Sequence, residues 1–332
     1  MVDRLTDLYQ NRKGGYVKSP QTENFLQHLN RSLQAAEQEL YTDDLGIEHP
    51  FIFVFGLPRS GTTLMTQLIA HSLDVGFINN FEARFWLAPL HGIRLFKSIY
   101  GDQRQTDFHS DYARTSELSD IHEFGYFWRY WLQKETFEGV TRCKEMEPNI
   151  NWAGLKKTLA NMQQEFGKPM IFKNIFGSYH LKTMQDILSK VLYVYIERDP
   201  LDAAVSILQA RKKYYTDLNT WWSYMPIEYE QLRDKDYYTQ IAGQVYYLKR
   251  FYDREIKNND LNVVRVSYQS LTGSPHQVFK QIQDTSLQLL DYSLTVDNPP
   301  PGEFPYRSYP QSEDKEKFST LIRSLENSEG AL

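Results

Sequence analysis

Apolar positions along this chain fall alternately into short unbroken runs and longer stretches of helical period. Residues 51–55 read Phe-Ile-Phe-Val-Phe. Five consecutive aromatic or β-branched residues with no polar alternation predict a strand buried on both faces, as in the interior of a parallel sheet. Gly56 and Pro58 end it, and Leu64, Met65, Leu68 and Ile69 then recur at helical spacing. The succession repeats at 190–197, where Arg198-Asp199-Pro200 breaks a strand and Leu201, Ala204, Val205 and Leu208 mark a helix. Shorter strands are predicted at 74–78, 170–173 and 262–266, the last followed by a helix from near Pro275. Strands interleaved with helices predict an α/β fold, a doubly wound parallel sheet with helices on both faces, over residues 49–295. Ahead of it, residues 1–48 are polar and helix-like, with Phe25, Leu26, Leu29, Leu33 and Leu40 as an apolar stripe, so they predict a packed N-terminal arm. Residues 85–166 form a mostly helical insertion rich in aromatics. Pro299-Pro300-Pro301-Gly302 opens a C-terminal segment, 296–332.

The turn between the first strand and its helix is the chemically informative stretch. Backbone N–H groups of Ser60, Gly61, Thr62 and Thr63 open a helix, where unpaired donors and the helix dipole make a ready anion site. The nucleoside-triphosphatase loop G-x-x-x-x-G-K-[ST] carries a Lys after its second glycine. Here Thr62 stands at that place, and the loop's cation is Arg59, ahead of Gly61. A planar guanidinium there grips an oxyanion in two-point fashion without a metal. Arg198 ends another strand, and Ser206 lies two turns into the next helix, so both can face one groove.

The motif Gly56-x-Pro58-Arg59-Ser60-Gly61-Thr62-Thr63 resembles the 5′-phosphosulfate loop of sulfotransferases that use 3′-phosphoadenosine 5′-phosphosulfate (PAPS). Arg198-Asp199-Pro200…Ser206 resembles the 3′-phosphate signature of the same family. The resemblance spans roughly residues 50–290, closest in style to bacterial relatives of tyrosylprotein sulfotransferases, and it implies a P-loop-like fold. It also implies that Lys173 contacts the oxygen bridging phosphate and sulfate, where a cation lowers the barrier to departure. Glu82-Ala83-Arg84 is similar to the Glu-x-Arg of those relatives, Glu as general base and Arg orienting it, with Phe85 beside them on the acceptor side. His122 is the rival base. Its surroundings, Asp120-Ile121-His122-Glu123-Phe124, resemble an acidic patch that borders the acceptor pocket in bacterial members, with His122 in place of one acid, so Glu123 joins the acceptor candidates. Tyr268, in a Tyr-x-x-Leu after a late strand, is implied to lie near the adenosine. In relatives the C-terminal segment folds over the donor as a lid, with Arg307 and Ser308 its candidates here.

The implied reaction is in-line displacement at sulfur, from PAPS to an acceptor hydroxyl, releasing adenosine 3′,5′-bisphosphate and requiring no metal. A metal-dependent P-loop kinase and a non-catalytic nucleotide-binding module are the alternatives; Thr62 in place of Lys speaks against the first. A net charge of −5 and a pI near 5.9 argue against broad nucleic-acid or anionic-membrane binding. The single cysteine, Cys143, excludes an intrachain disulfide and suggests a reducing compartment. No apolar stretch reaches a membrane-spanning length and the N-terminus starts no signal peptide, so a cytoplasmic enzyme is expected. The acceptor, small or carrier-bound, stays open among carbohydrate, phenol, lipid and other hydroxyls.

Overall fold

The computed structural model describes residues 12–101, 108 and 117–329. The first eleven residues of the predicted arm and part of the predicted insertion lie outside the described residues.

Four strands, β1 (Phe51–Gly56), β2 (Met170–Lys173), β3 (Val191–Glu197) and β4 (Val263–Ser267), form one sheet in the order β2-β1-β3-β4, every pair parallel. β1 and β3 are central and buried along their length, which is why their sequences show no polar alternation. The two faces are chemically distinct. Phe51, Phe53 and Phe55 of β1 and Tyr193 and Tyr195 of β3 point into an aromatic core with Phe172, Trp128 and Tyr252; Ile52, Val54, Leu192, Val194 and Ile196 point into an aliphatic core with Met65, Leu68 and Ile69. Helices cover both faces, as the alternation of elements predicts.

The segment 74–78, predicted as a strand, makes among the described residues only an isolated bridge, Gly76 to Met170, held by Gly76 N–H to Pro169 O at 2.7 Å and Ile171 N–H to Gly76 O at 2.9 Å. It then turns away from the edge of β2, and His122 N–H donates to Ile78 O at 2.9 Å. The arm's stripe also differs from expectation. In helix α1 (Pro20–Glu39) Phe25 is 64% exposed, while the buried positions are Asn30 and Glu37. Asn30 donates to Arg84 O (2.7 Å) and accepts from Leu87 N–H (2.8 Å); Glu37 accepts from Leu90 N–H at 2.8 Å and contacts His91 Nδ1 at 2.6 Å. Two polar side chains dock this helix by pairing backbone groups that burial would otherwise orphan.

Candidate active site

β1, β2 and β3 deliver their C-terminal ends to one cleft of about 750 Å³, at the edge where open α/β sheets bind ligands. After β1 the chain passes through Arg59 (φ 70°) and Gly61 (φ 97°) into helix α2 (Thr62–Ser72), whose first bond is Met65 N–H to Gly61 O at 3.0 Å. The N–H groups of Thr62, Thr63 and Leu64 therefore lie ahead of the helical ladder and border the cleft. Ser60 departs from expectation. Its N–H is spent on Leu57 O (3.1 Å), and its fully buried hydroxyl lies under the loop, where a Cβ on Gly56 would stand 2.7 Å from it.

Arg198, at the end of β3, joins this loop to the rest of the cleft. Its Nη1 donates to Arg59 O at 2.5 Å, its Nη2 donates to Arg307 O, and its guanidinium lies 4.4 Å from the Tyr268 ring centroid. Arg198 Nε is buried and has no hydrogen-bond partner among the described residues, a donor suited to an anion. From helix Pro200–Tyr214, capped by Asp199, Ser206 accepts from Arg59 Nε at 3.1 Å. The two predicted anion grips thus share one wall. Tyr268, first residue of the helix after β4, packs its Cδ2 and Cε2 atoms against Gly61, with Arg198 over its ring. Arg307 lines the cleft from the C-terminal segment; Ser308 is exposed outside it.

Lys173 ends β2 with 8% exposure, donating to Thr63 Oγ1 at 2.9 Å and to Glu123 Oε1. Glu123 is the only carboxylate lining the cleft among the described residues. His122 beside it opens into the cleft. Although its side chain is exposed to the cleft, loss of hydration there pulls its imidazole down to about 4, against Glu123 and with help from Lys18, Lys173 and Arg84. Phe124 N–H donates to His122 Nδ1 at 2.8 Å. A neutral ring whose Nδ1 accepts carries its proton on Nε2, so His122 presents a donor to the cleft.

The predicted Glu82-Ala83-Arg84 group is not brought to this cleft. Glu82 has no exposure and its Oε2 accepts from Asn79 N–H at 3.0 Å; Arg84 is exposed elsewhere, and neither they nor Phe85 line the cleft. The turn folds back on itself because Asn79 Oδ1 accepts from the N–H groups of Phe81 (3.0 Å) and Glu82 (2.9 Å) at the start of the one-turn helix Glu82–Arg84, while Glu82 Oε2 accepts from Asn79 N–H. Conversely, Arg12, Lys18 and Arg129 line the cleft unforeseen. Arg129 is a lone cation in the aromatic run of helix Gly125–Trp131, and only that isolation in sequence signals it. Trp221, Trp222 and Tyr224 form a further wall while remaining largely buried.

With this geometry in place, comparison with known proteins adds a family. Residues 50–286 match the model described as the sulfotransferase family. No curated protein matches the sequence. Solved structures that resemble it include sulfotransferase STF9 from Mycobacterium avium, with 13% identity over 92% of this chain and 78% of that one and a TM-score of 0.49. Sulfotransferase STF1 from Mycobacterium tuberculosis H37Rv gives 14% identity, 87% and 85% coverage and a TM-score of 0.47. The sulfotransferase domain from the curacin biosynthetic pathway gives 11%, 83%, 98% and 0.40.

Proposed function

The chain belongs to the sulfotransferase family, an enzyme family of sulfuryl transfer, and from that premise we propose that this protein moves the sulfuryl group of PAPS to an acceptor hydroxyl. The observation that carries the reading is the wall on which Arg59, Arg198 and Ser206 meet, with Tyr268 touching the loop glycine and lying under Arg198. A nucleotide anionic at both ends suits it. In the proposed division of roles, the N–H groups of Thr62 and Thr63 with Arg59 hold the 5′ end, Arg198 and Ser206 the 3′-phosphate, and Tyr268 the adenosine. Lys173, fixed between Thr63 and Glu123, stands beside the leaving oxygen, where a preorganised cation lowers the barrier. The 121–123 strip and the aromatic wall receive the acceptor.

Thermal shift with adenosine 3′,5′-bisphosphate, compared with ATP and magnesium, tests this. Stabilisation of about 2.7 kcal/mol is expected at a bisphosphate concentration 100 times its Kd. Arg198→Ala should weaken that binding by about 10- to 100-fold, the loss of charge-assisted hydrogen bonds. Stabilisation by magnesium and ATP alone would reject the reading in favour of a kinase.

A further inference from the structure

We propose that Glu123 is the general base of the transfer and that His122 orients the reacting oxygen as a hydrogen-bond donor. The assignment rests on the sulfuryl-transfer reading above. A base must reach the acceptor hydroxyl, and Glu123 is the only carboxylate lining the cleft among the described residues. Its side chain is 34% exposed. One oxygen, Oε1, is taken by Lys173; the other has no partner among the described residues and is free to receive a proton. Neither rival has such an acceptor atom. The Glu82 carboxylate is sealed behind the cleft on Asn79 N–H, and the His122 ring has its Nδ1 lone pair engaged by Phe124 N–H, leaving Nε2–H toward the cleft.

The arrangement also explains why Lys173 touches both sides of the reaction. Its ammonium has three N–H donors; Thr63 Oγ1 and Glu123 Oε1 take two and leave one for the departing oxygen. Glu123 Oε2 takes the hydroxyl proton as the acceptor oxygen bonds to sulfur. The bond from sulfur to the bridging phosphate oxygen breaks, and its electron pair leaves on the bisphosphate beside Lys173. Protonated Glu123 then returns the proton to solvent. Lys173 thus holds the base and the leaving group at a fixed separation, the positioning that an in-line displacement requires.

Glu123→Gln keeps the shape and a hydrogen-bonding oxygen for Lys173 while removing the base. Donor turnover is to be followed with water and simple alcohols as acceptors and, in parallel, with p-nitrophenol, which ionises near neutral pH and needs no base. The expected result is a fall of at least about 100-fold with water and alcohols, a change of only a few-fold with p-nitrophenol, and unaltered thermal stabilisation by bisphosphate. His122→Gln should lose about tenfold with every acceptor. Equal losses with alcohols and p-nitrophenol would reduce Glu123 to a positioning residue for Lys173 and overturn the assignment. So would retention of alcohol turnover by Glu123→Gln, or a folded Glu82→Gln variant that loses as much. A wild-type protein that bisphosphate does not stabilise overturns the donor reading instead.

Discussion

Gly61 and Tyr268 are 207 positions apart in sequence, yet a Cβ built on Gly61 would stand 2.7 Å from Tyr268 Cδ2. The same glycine holds φ at 97°, where a side chain is strained whatever space it has. The ring is also packed by the Arg198 guanidinium, 4.4 Å from its centroid, so a shift of the ring would disturb that contact. Gly61→Ala is therefore expected to cost about 1–3 kcal/mol of stability in denaturant melts and to weaken bisphosphate binding at least tenfold by shifting the loop. A variant with wild-type stability and binding would show that loop and ring move independently. That a glycine stands here was legible from the strand-loop-helix pattern; what it packs against was not, since no local signal links residue 61 to residue 268. The Glu82-Ala83-Arg84 group illustrates the converse. Its residue types suited a base and its orienter, but hydrogen bonds to Asn79 turned the carboxylate inward.

Among the elements, helix α1 shows how polar groups can decide docking. Helical periodicity marks its leucines, and they are half-buried, but Glu37 is the fully buried side chain that caps the start of helix Pro89–Tyr100 through Leu90 and His91 N–H. A carboxylate at that terminus pairs two orphan donors and complements the helix dipole. Glu37→Ala is expected to destabilise the protein by about 1–3 kcal/mol and to raise hydrogen exchange in both helices. Unchanged exchange at Leu90 and His91 would refute this role. An acidic residue in a polar helix reads as a solvated one in sequence, which is why the cap went unseen. The edge segment 74–78 has the same lesson: its apolar run suited a strand, but a strand needs a partner along its length, and only Gly76 finds one.

Across the whole molecule, stability should fall in acid for an identifiable reason. Burial pushes the fully buried His180 from its ordinary 6.5 to about 4, against the pull of Glu147, whose Oε2 lies 3.4 Å from Nδ1. Burial tends to raise the Glu147 carboxyl, but the nearby His180 ring and the hydrogen bond from Thr183 bring it from 4.5 to about 2. The unfolded chain takes up a proton at His180 as pH falls below 6.5, while the folded protein resists until near 4, so that stability is lost across this window. Glu147 continues the loss from 4.5 toward 2. The His180 contribution is about 3 kcal/mol. Melting temperature should decline from pH 6.5 downward, and His180→Gln should lessen the decline above pH 4 while His122 still contributes over the same window; an equally steep decline in the variant would remove His180 as a source. Charge on the whole chain is legible by counting, and so are the sheet, its parallel winding and the strand-loop-helix turn at 56–63, because each depends on residues adjacent in sequence and on period alone. Which side chains reach the cleft was decided by tertiary structure. Strand order brought Lys173 and Arg198 to either side of the β1 loop, a backbone hydrogen bond set the His122 tautomer, and one turn hid Glu82 while its neighbours left Glu123 open, since burial and hydrogen-bond partners are properties of distant residues meeting.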